Sequence, residues 1–372
     1  MWLTAEEALA RLGSKPQSLY ANVSRGRIRA KPDPADKRRS LYQSEDVDRL
    51  AARARGRRSA QTVASGTMSW GEPVLPSAIS TVSGGRFYYR GCDAAALADT
   101  ATLEEIVTLL WAGEWALSRH APVDAPSFEA ALVALAEMTA HARPSAGLGA
   151  RALRAEAGRV LGCVAAALIG GEGQLHQRLA RHFQRPEAAD DLRRALVLLA
   201  DHELNASTFA VRITVSTGAS LAAGALSGFA ALSGPRHGSA PLEIMGLADE
   251  VGGSEAALRD WLGEGRVIPG FGHRLYPGGD IRARALLAQL DLTPPYRALA
   301  RAGEKLGGEP PNVDFALAAL TAIYGLPRTG PMTIFALART VGWLAHMLEQ
   351  AETGHLIRPR AIYVGTPPGQ TP

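Results

Sequence analysis

The stretch Ile268-Pro269-Gly270-Phe271-Gly272-His273 sets a histidine on a glycine-rich turn, and Tyr276, Asp280 and Arg282 follow within a few residues. Pro269, Gly270 and Gly272 permit a tight, closely packed backbone there. A histidine so placed can be aimed at a small anionic ligand, with an arginine at hand to meet its charge. The alternative is a turn whose histidine only packs or caps a helix. Other stretches offer similar groups. His202 lies in Asp201-His202-Glu203-Leu204-Asn205-Ala206-Ser207-Thr208, and His237 between glycines in Gly234-Pro235-Arg236-His237-Gly238. Asp314 sits between apolar neighbours in Pro311-Asn312-Val313-Asp314-Phe315, and Arg339, His346 and Arg358 lie further on. Taken singly, His202 could be a helix cap, Asp314 an N-cap and Arg339 half of a structural ion pair. There is no G-x-G-x-x-G after a strand and no Walker-type loop, so a nucleotide fingerprint is excluded.

The elements that must position these groups read as helices almost throughout from about residue 72. Phe87 to Gly91 is a short turn or strand. Thr102 is placed to cap a helix from Leu103 to Trp111, with Ile106, Leu109 and Leu110 on one face. Phe128 to Ala140, Leu153 to Leu168 and Asp191 to Ala200 also read as amphipathic or buried helices. Ala210 to Ala231 is rich in Ala, Gly, Ser and Thr. Side chains this small let helices approach closely, so burial between helices or at a subunit interface is expected.

The chain of 372 residues is long enough for two or three domains, and its 47% hydrophobic and 20% charged content is ordinary for a globular protein. Alanine and leucine dominate and aromatics are only 6%, which favours helix over sheet. Two cysteines, Cys92 and Cys163, lie far apart without metal-ligand spacing, so neither a disulfide framework nor a zinc site is indicated. No apolar run is long enough to span a bilayer, and residues 1–7 lack the basic and apolar regions of a signal peptide. A cytoplasmic location and no membrane partner are expected.

The net charge of +4 hides an asymmetry: residues 1–60 hold 14 Lys and Arg against 7 Asp and Glu, while the remainder holds 26 against 29. A basic front end on a slightly acidic body suggests an attached module with an anionic partner. Thr4 is placed to cap a helix over Ala5 to Leu12, with Glu7 at the capping-box position. Pro16 suits the first turn of a second helix, Gln17 to Arg25, which Gly26 ends. Arg27 to Ala30 reads as a strand, Leu41-Tyr42 as its hairpin partner, and Ser44 as the cap of a last helix. This order resembles the winged helix-turn-helix of the MerR and excisionase families, over residues 1–58, with a linker at 59–71. The resemblance makes DNA a possible partner: Gln17, Ser18, Asn22 and Arg25 on the second helix and Lys37, Arg38 and Arg39 on the wing are the expected contacts.

The ordered set of motifs in the body resembles citrate synthase over nearly all of residues 72–372. The matching stretches are Tyr89-Arg90-Gly91, Asp201 to Thr208, Gly234 to Gly238, Pro269 to Tyr276 with Asp280 to Ala283, Pro311 to Phe315, Arg339 to His346 and Arg358-Pro359-Arg360. The resemblance implies an all-α fold with a large domain at 72–240 plus 330–372 and a small domain at 241–329, assembled as a homodimer. It implies condensation of acetyl-CoA, as co-substrate, with oxaloacetate to citrate and CoA, with no bound cofactor and no metal. Asp314 would be the base, His237 the donor to the enol or enolate, and His273 the acid facing the oxaloacetate carbonyl. Arg282, Arg339 and His202 would hold oxaloacetate, and Arg358 would reach across from the partner subunit. Departures from the family pattern at Pro277, Ile281 and Ala316-Leu317-Ala318 fall on the side expected to hold CoA. The alternatives are a methylcitrate synthase using propionyl-CoA, and a transcriptional regulator whose body binds an effector.

Overall fold

In this computed structural model residues 2–12, 19, 22–23, 28–33, 36, 39–48, 75–121, 123–359 and 361 are described. The chain divides into two compact units, Met1–Pro76 with Pro359–Pro372, and Ser77–Arg358.

In the first unit, the Ala5–Leu12 helix begins as its sequence dictates. Thr4 Oγ1 accepts the Glu7 N–H at 3.3 Å and Glu7 Oε2 accepts the Thr4 N–H at 2.8 Å, a reciprocal capping box. Three short antiparallel strands, β1 (Trp2–Leu3), β2 (Ala30–Pro32) and β3 (Ser40–Gln43), pair in the order β1-β3-β2. The strand expected at Arg27 to Ala30 begins only at Ala30. Ile28 turns into the core instead, and Asp46 holds Arg29 through its backbone N–H and its guanidinium. Leu3, Ala8, Leu19, Ile28, Tyr42 and Val47 form a small apolar core of their own. Of the expected DNA contacts, Gln17, Ser18, Arg25, Lys37 and Arg38 lie outside the described residues. Asn22 is helical and half-buried, and Arg39 is exposed and paired with Asp36 at 3.5 Å.

The second unit is mainly helical, but the all-α expectation needs a correction. A three-stranded antiparallel sheet, β4 (Ser80–Ser83), β5 (Arg86–Tyr89) and β6 (Cys92–Asp93), precedes the helices. Gly84 and Gly85, both at positive φ, make the two-residue turn that joins β4 to β5, a conformation other residues rarely adopt. Thr102 then caps the Leu103–Trp111 helix with a full capping box. The run of small residues is not one helix. It breaks at Gly218, at φ 84°, and Ser220 caps the next, giving Ala206–Ser216 and Leu221–Leu232.

These two helices pack on the Gly330–Thr353 helix, which is buried along nearly its whole length. A Cβ at Gly228 would press on Val211 at 2.8 Å and Trp343 at 3.0 Å, so the glycine sets how closely they approach. The Ala150–Ile169, Ala189–Leu199 and Leu103–Trp111 helices complete the layer around that central helix and share its core. A second apolar cluster joins Ile244, Leu247, Val251, Leu258, Leu299 and Phe315. The Val313–Tyr324 helix lies between the two clusters: Phe315, Ala318 and Ala319 face the second, and Val313, Ala316, Leu317 and Leu320 face the first.

Candidate active site

The loop after the Ala189–Leu199 helix carries His202, and both neighbouring elements pin it. Arg339 Nε donates to the Leu199 carbonyl at 3.0 Å, and the Gly342 N–H donates to the Ala200 carbonyl at 2.9 Å. From the sheet side, the Ser80 hydroxyl donates to Asp201 Oδ2, and the Val82 N–H donates to Glu203 Oε1 at 2.9 Å. Behind Asp201 lies a buried ionic chain. His346 Nε2 is 3.3 Å from the Asp201 carboxylate, His346 Nδ1 is 3.3 Å from Arg212 Nη1, and Arg212 pairs with Glu349 at 2.7 Å. A guanidinium can only donate, so Nδ1 accepts and Nε2–H faces Asp201.

The His273 turn is stapled to the segment that bears Asp314. Gly270 and Gly272 adopt positive φ of 83° and 72°. The Gly272 N–H donates to the Pro310 carbonyl at 2.9 Å, and the Asn312 N–H donates to the Gly270 carbonyl at 2.8 Å. Asn312 Nδ2 adds a bond to the Gly272 carbonyl at 3.1 Å, while its Oδ1 accepts the Asp314 N–H at 3.0 Å and caps the Val313–Tyr324 helix. The cap is therefore Asn312, and Asp314 is free of that task. The Leu275 N–H donates to His273 Nδ1 at 3.2 Å, which leaves the ring proton of neutral His273 on Nε2. Asp280 takes Arg282 in a two-pronged fork, Nε to Oδ1 at 3.0 Å and Nη2 to Oδ2 at 2.8 Å, and accepts the Val313 N–H at 3.1 Å.

His237, in the short Pro235–Gly238 helix, meets Ser207 Oγ through Nε2 at 2.7 Å. Ser207 Oγ also accepts the Trp343 Nε1–H at 3.1 Å, and its own hydroxyl donates to Asn205 Oδ1 at 2.9 Å. His202 and His273 have ring centroids 5.1 Å apart, and His202 Nε2 lies 2.9 Å from the Tyr276 hydroxyl. The Arg282 guanidinium sits 5.4 Å from the Tyr276 ring, and Arg339 lies 4.4 Å from the Phe335 ring, which also faces His237.

Several polar atoms in this group are spent on nothing. Among the described residues, His202 Nδ1, His237 Nδ1, His273 Nε2, Arg282 Nη1, both Arg339 Nη atoms and the Asp314 carboxylate bond to no side chain or backbone group, yet none is sealed from solvent. Unused hydrogen-bonding capacity concentrated on largely buried side chains is what a polar ligand would fill. Arg339 therefore has no ion-pair partner among the described residues; its Nε is the one atom committed.

The electrostatics match. Burial is the leading cause of the low pKa of all three histidines: His202 is held well below its ordinary value, His237 is pushed down to about 4, and His273 is lowered. Nearby Arg282 and Arg339 add to the effect on His202, Arg339 on His237 and Arg282 on His273. Asp314 moves the other way, up to about 6, because desolvation and Asp280 outweigh Arg282 and Arg339. Part of its surface stays accessible, but the density of protein around it dominates. Burial also lowers Arg339 to about 10, which leaves it charged at neutral pH. The result is a carboxylate base tuned toward neutrality, neutral imidazole donors and two guanidinium groups for an anion.

Arg358 is not part of this group. It is exposed beyond the Gly330–Thr353 helix and joins none of these residues by a hydrogen bond or ion pair. A groove of about 330 Å³ along Gly279, Asp280, Arg284, Leu287, Pro310 and Pro311 shares Asp280 with the cluster but none of its histidines. No group of three His, Cys, Asp or Glu side chains among the described residues is arranged to hold a metal ion, and no described helix is long and apolar enough to cross a membrane. Ser207, Tyr276, Asn312 and Trp343 all take part in the site although their types alone did not mark them out. Each stands within a few residues of a histidine or carboxylate that did.

Residues 170–360 match the model of the family described as citrate synthase, C-terminal domain. The chain is 40% identical over 193 residues to citrate synthase 2 of Bacillus subtilis, covering 48% of this chain and 52% of that protein. It is 35% identical over 195 residues to 2-methylcitrate synthase 1 of Corynebacterium glutamicum, covering 48% and 51%. The chain thus spans about half the length of the curated relatives it matches. The crystal structure of citrate synthase from Thermotoga maritima is similar at a TM-score of 0.66 and 28% identity, over 81% of this chain and 96% of that one. With a family match over more than half its length, and His202, His237, His273, Arg282, Arg339 and Asp314 gathered at one place in a matching fold, the chain belongs to the citrate synthase family.

Proposed function

We propose that the protein condenses acetyl-CoA with oxaloacetate to give citrate and CoA. The observation that carries this reading is the joining of Asp314, raised toward neutral pH, to the His273 turn through Asn312. Asp314 takes a proton from the acetyl methyl group, and His237 donates to the thioester oxygen as charge develops there. For that, its Nδ1 must carry the proton. The Ser207 hydroxyl, whose one proton goes to Asn205 Oδ1 in the structure, would turn it to His237 Nε2 in this reading, which leaves Nδ1–H free. The enol carbon attacks the oxaloacetate carbonyl, polarised by His273 Nε2–H, which then protonates the new alkoxide. One water cleaves the thioester of the adduct to balance the products as citrate and CoA. Arg339, through its two Nη atoms, and Arg282, through Nη1, receive the oxaloacetate carboxylates.

Similarity to a 2-methylcitrate synthase supports propionyl-CoA as the alternative acyl donor. The large domain at 72–240 plus 330–372, the small domain at 241–329, a cytoplasmic location and a homodimer with Arg358 contributed across the interface belong to the same proposal. The exposure of Arg358 suits a side chain that serves a second copy. The test is release of free thiol from acetyl-CoA or propionyl-CoA with oxaloacetate, beside Asp314→Ala. Turnover that Asp314→Ala abolishes is expected; no turnover with either pair overturns the reading.

We also propose that residues 1–58 form a winged helix-turn-helix module that binds DNA. A three-stranded sheet, a capped first helix and a private apolar core support it. The comparisons lend no support to the body as an effector sensor. Binding to fragments of the native locus that weakens as salt rises is expected, and binding insensitive to salt, or none, overturns it.

A further inference from the structure

We propose that Tyr276 is a positioning residue that fixes which nitrogen of His202 carries the proton, so that His202 meets oxaloacetate as an Nδ1–H donor. The inference rests on the reading of the cluster as the oxaloacetate site. Tyr276 is 2% exposed, and its hydroxyl lies 2.9 Å from His202 Nε2. A buried hydroxyl proton left without an acceptor is costly. Among the described residues, His202 Nε2 is the one acceptor within hydrogen-bond distance of that hydroxyl. The phenol therefore donates and Nε2 accepts.

His202 is neutral, since burial and the nearby guanidinium groups hold its pKa well below the ordinary value. A neutral imidazole that accepts at Nε2 carries its proton on Nδ1. Nδ1 is the ring nitrogen with no partner among the described residues and with some access to solvent, so the donor faces the open side. The opposite tautomer would turn a lone pair toward a dicarboxylate and leave the phenol proton without an acceptor. Tyr276 is itself held in place. Its backbone N–H donates to the His273 carbonyl at 2.8 Å, and its ring lies 5.1 Å from the His273 ring and 5.4 Å from the Arg282 guanidinium. His273 reaches its own state independently, because the Leu275 N–H blocks Nδ1 and leaves Nε2–H. Two neutral histidines are thus set in opposite tautomers, and each offers its N–H where no described residue supplies an acceptor.

The test uses the full chain labelled with 15N in histidine, read by long-range 1H–15N correlation, with His202 assigned by its loss in His202→Gln. Wild type should show His202 as Nδ1–H at neutral pH. Tyr276→Phe, which removes one oxygen and keeps the ring, should populate Nε2–H. By isothermal titration the same variant should bind oxaloacetate about tenfold more weakly, the weight of one oriented hydrogen bond, with acyl-CoA affinity unchanged. Wild-type His202 in the Nε2–H form, a variant with an unaltered tautomer, or unaltered oxaloacetate affinity would each overturn the assignment. The tautomer is read without turnover. A protein that shows the expected tautomers but condenses no acyl-CoA would refute the proposed reaction and leave the Tyr276 lock standing.

Discussion

Asn312 donates its side-chain amide to the Gly272 carbonyl at 3.1 Å. The same side chain accepts the N–H groups of Asp314 and Phe315, so one residue ties the turn of the proposed acid to the helix of the proposed base. Asn312→Ala should lose the helix cap and leave the Gly272 carbonyl short of a partner, costing about 2 kcal/mol. Asn312→Asp keeps the acceptor that caps the helix but cannot donate to Gly272. Urea denaturation should show stability largely recovered in Asn312→Asp, while thiol release stays depressed by roughly tenfold or more, the effect of a small misplacement of reacting groups.

Asp314 should reveal itself through pH. Its pKa in the folded chain is pushed up to about 6 from an ordinary 3.8, so the native state binds that proton more tightly than the unfolded chain does. Ionising Asp314 therefore costs stability as pH rises between about 4 and 6, on the order of 3 kcal/mol in full. Asp314→Asn removes that cost. Relative to wild type, the variant should be more stable at pH 8 than at pH 4 by a difference of this size in chemical denaturation. Its turnover should fall by about 10²–10⁴, as expected for loss of a general base, and the wild-type rate should rise with pH through the region of pKa 6.

Arg339→Lys keeps the charge but removes the planar fork and the Nε bond to the Leu199 carbonyl. The KM for oxaloacetate should rise by about 10- to 100-fold, equivalent to one or two lost charge-assisted hydrogen bonds, while the KM for the acyl-CoA changes little. Steady-state kinetics with each substrate varied in turn check the split.

Gly342→Ala should damage the site from behind. A Cβ there would press into the Ala200 carbonyl and the Asp201 carboxylate, both backed by buried structure. A loss of about 1–3 kcal/mol is the usual cost of such overpacking. The displaced loop carries His202, so oxaloacetate affinity should fall too. Thermal melts and titration calorimetry of the one variant measure both.

The local signals were legible where a cap or a turn is written in adjacent residues. Thr102 and Glu105 form the box that their spacing announces, as do Thr4 and Glu7. The β4–β5 hairpin was legible in part: Phe87 to Gly91 read as a short turn or strand, and β5 runs Arg86–Tyr89, while the Gly84-Gly85 turn and β4 before it were not picked out. Other assignments needed the folded geometry. Asn312, two residues before Asp314, is the cap of that helix, and Arg339 gives its Nε to a carbonyl 140 positions away and pairs with no carboxylate among the described residues.

The chain by itself determined which chemical groups are present, their order, and the motifs that mark the family. Tertiary structure decided the states those groups occupy. Asp280 commits one edge of Arg282 and leaves Nη1 open, Leu275 and Tyr276 set opposite tautomers on two histidines, and packing lifts Asp314 toward neutral pH. Each of these depends on hydrogen-bond direction and on desolvation. Asp280 and Leu275 stand two residues from the groups they fix, so there folding only sets the geometry, but Tyr276 reaches His202 across 74 positions and the desolvation of Asp314 is a sum over neighbours that only folding brings together.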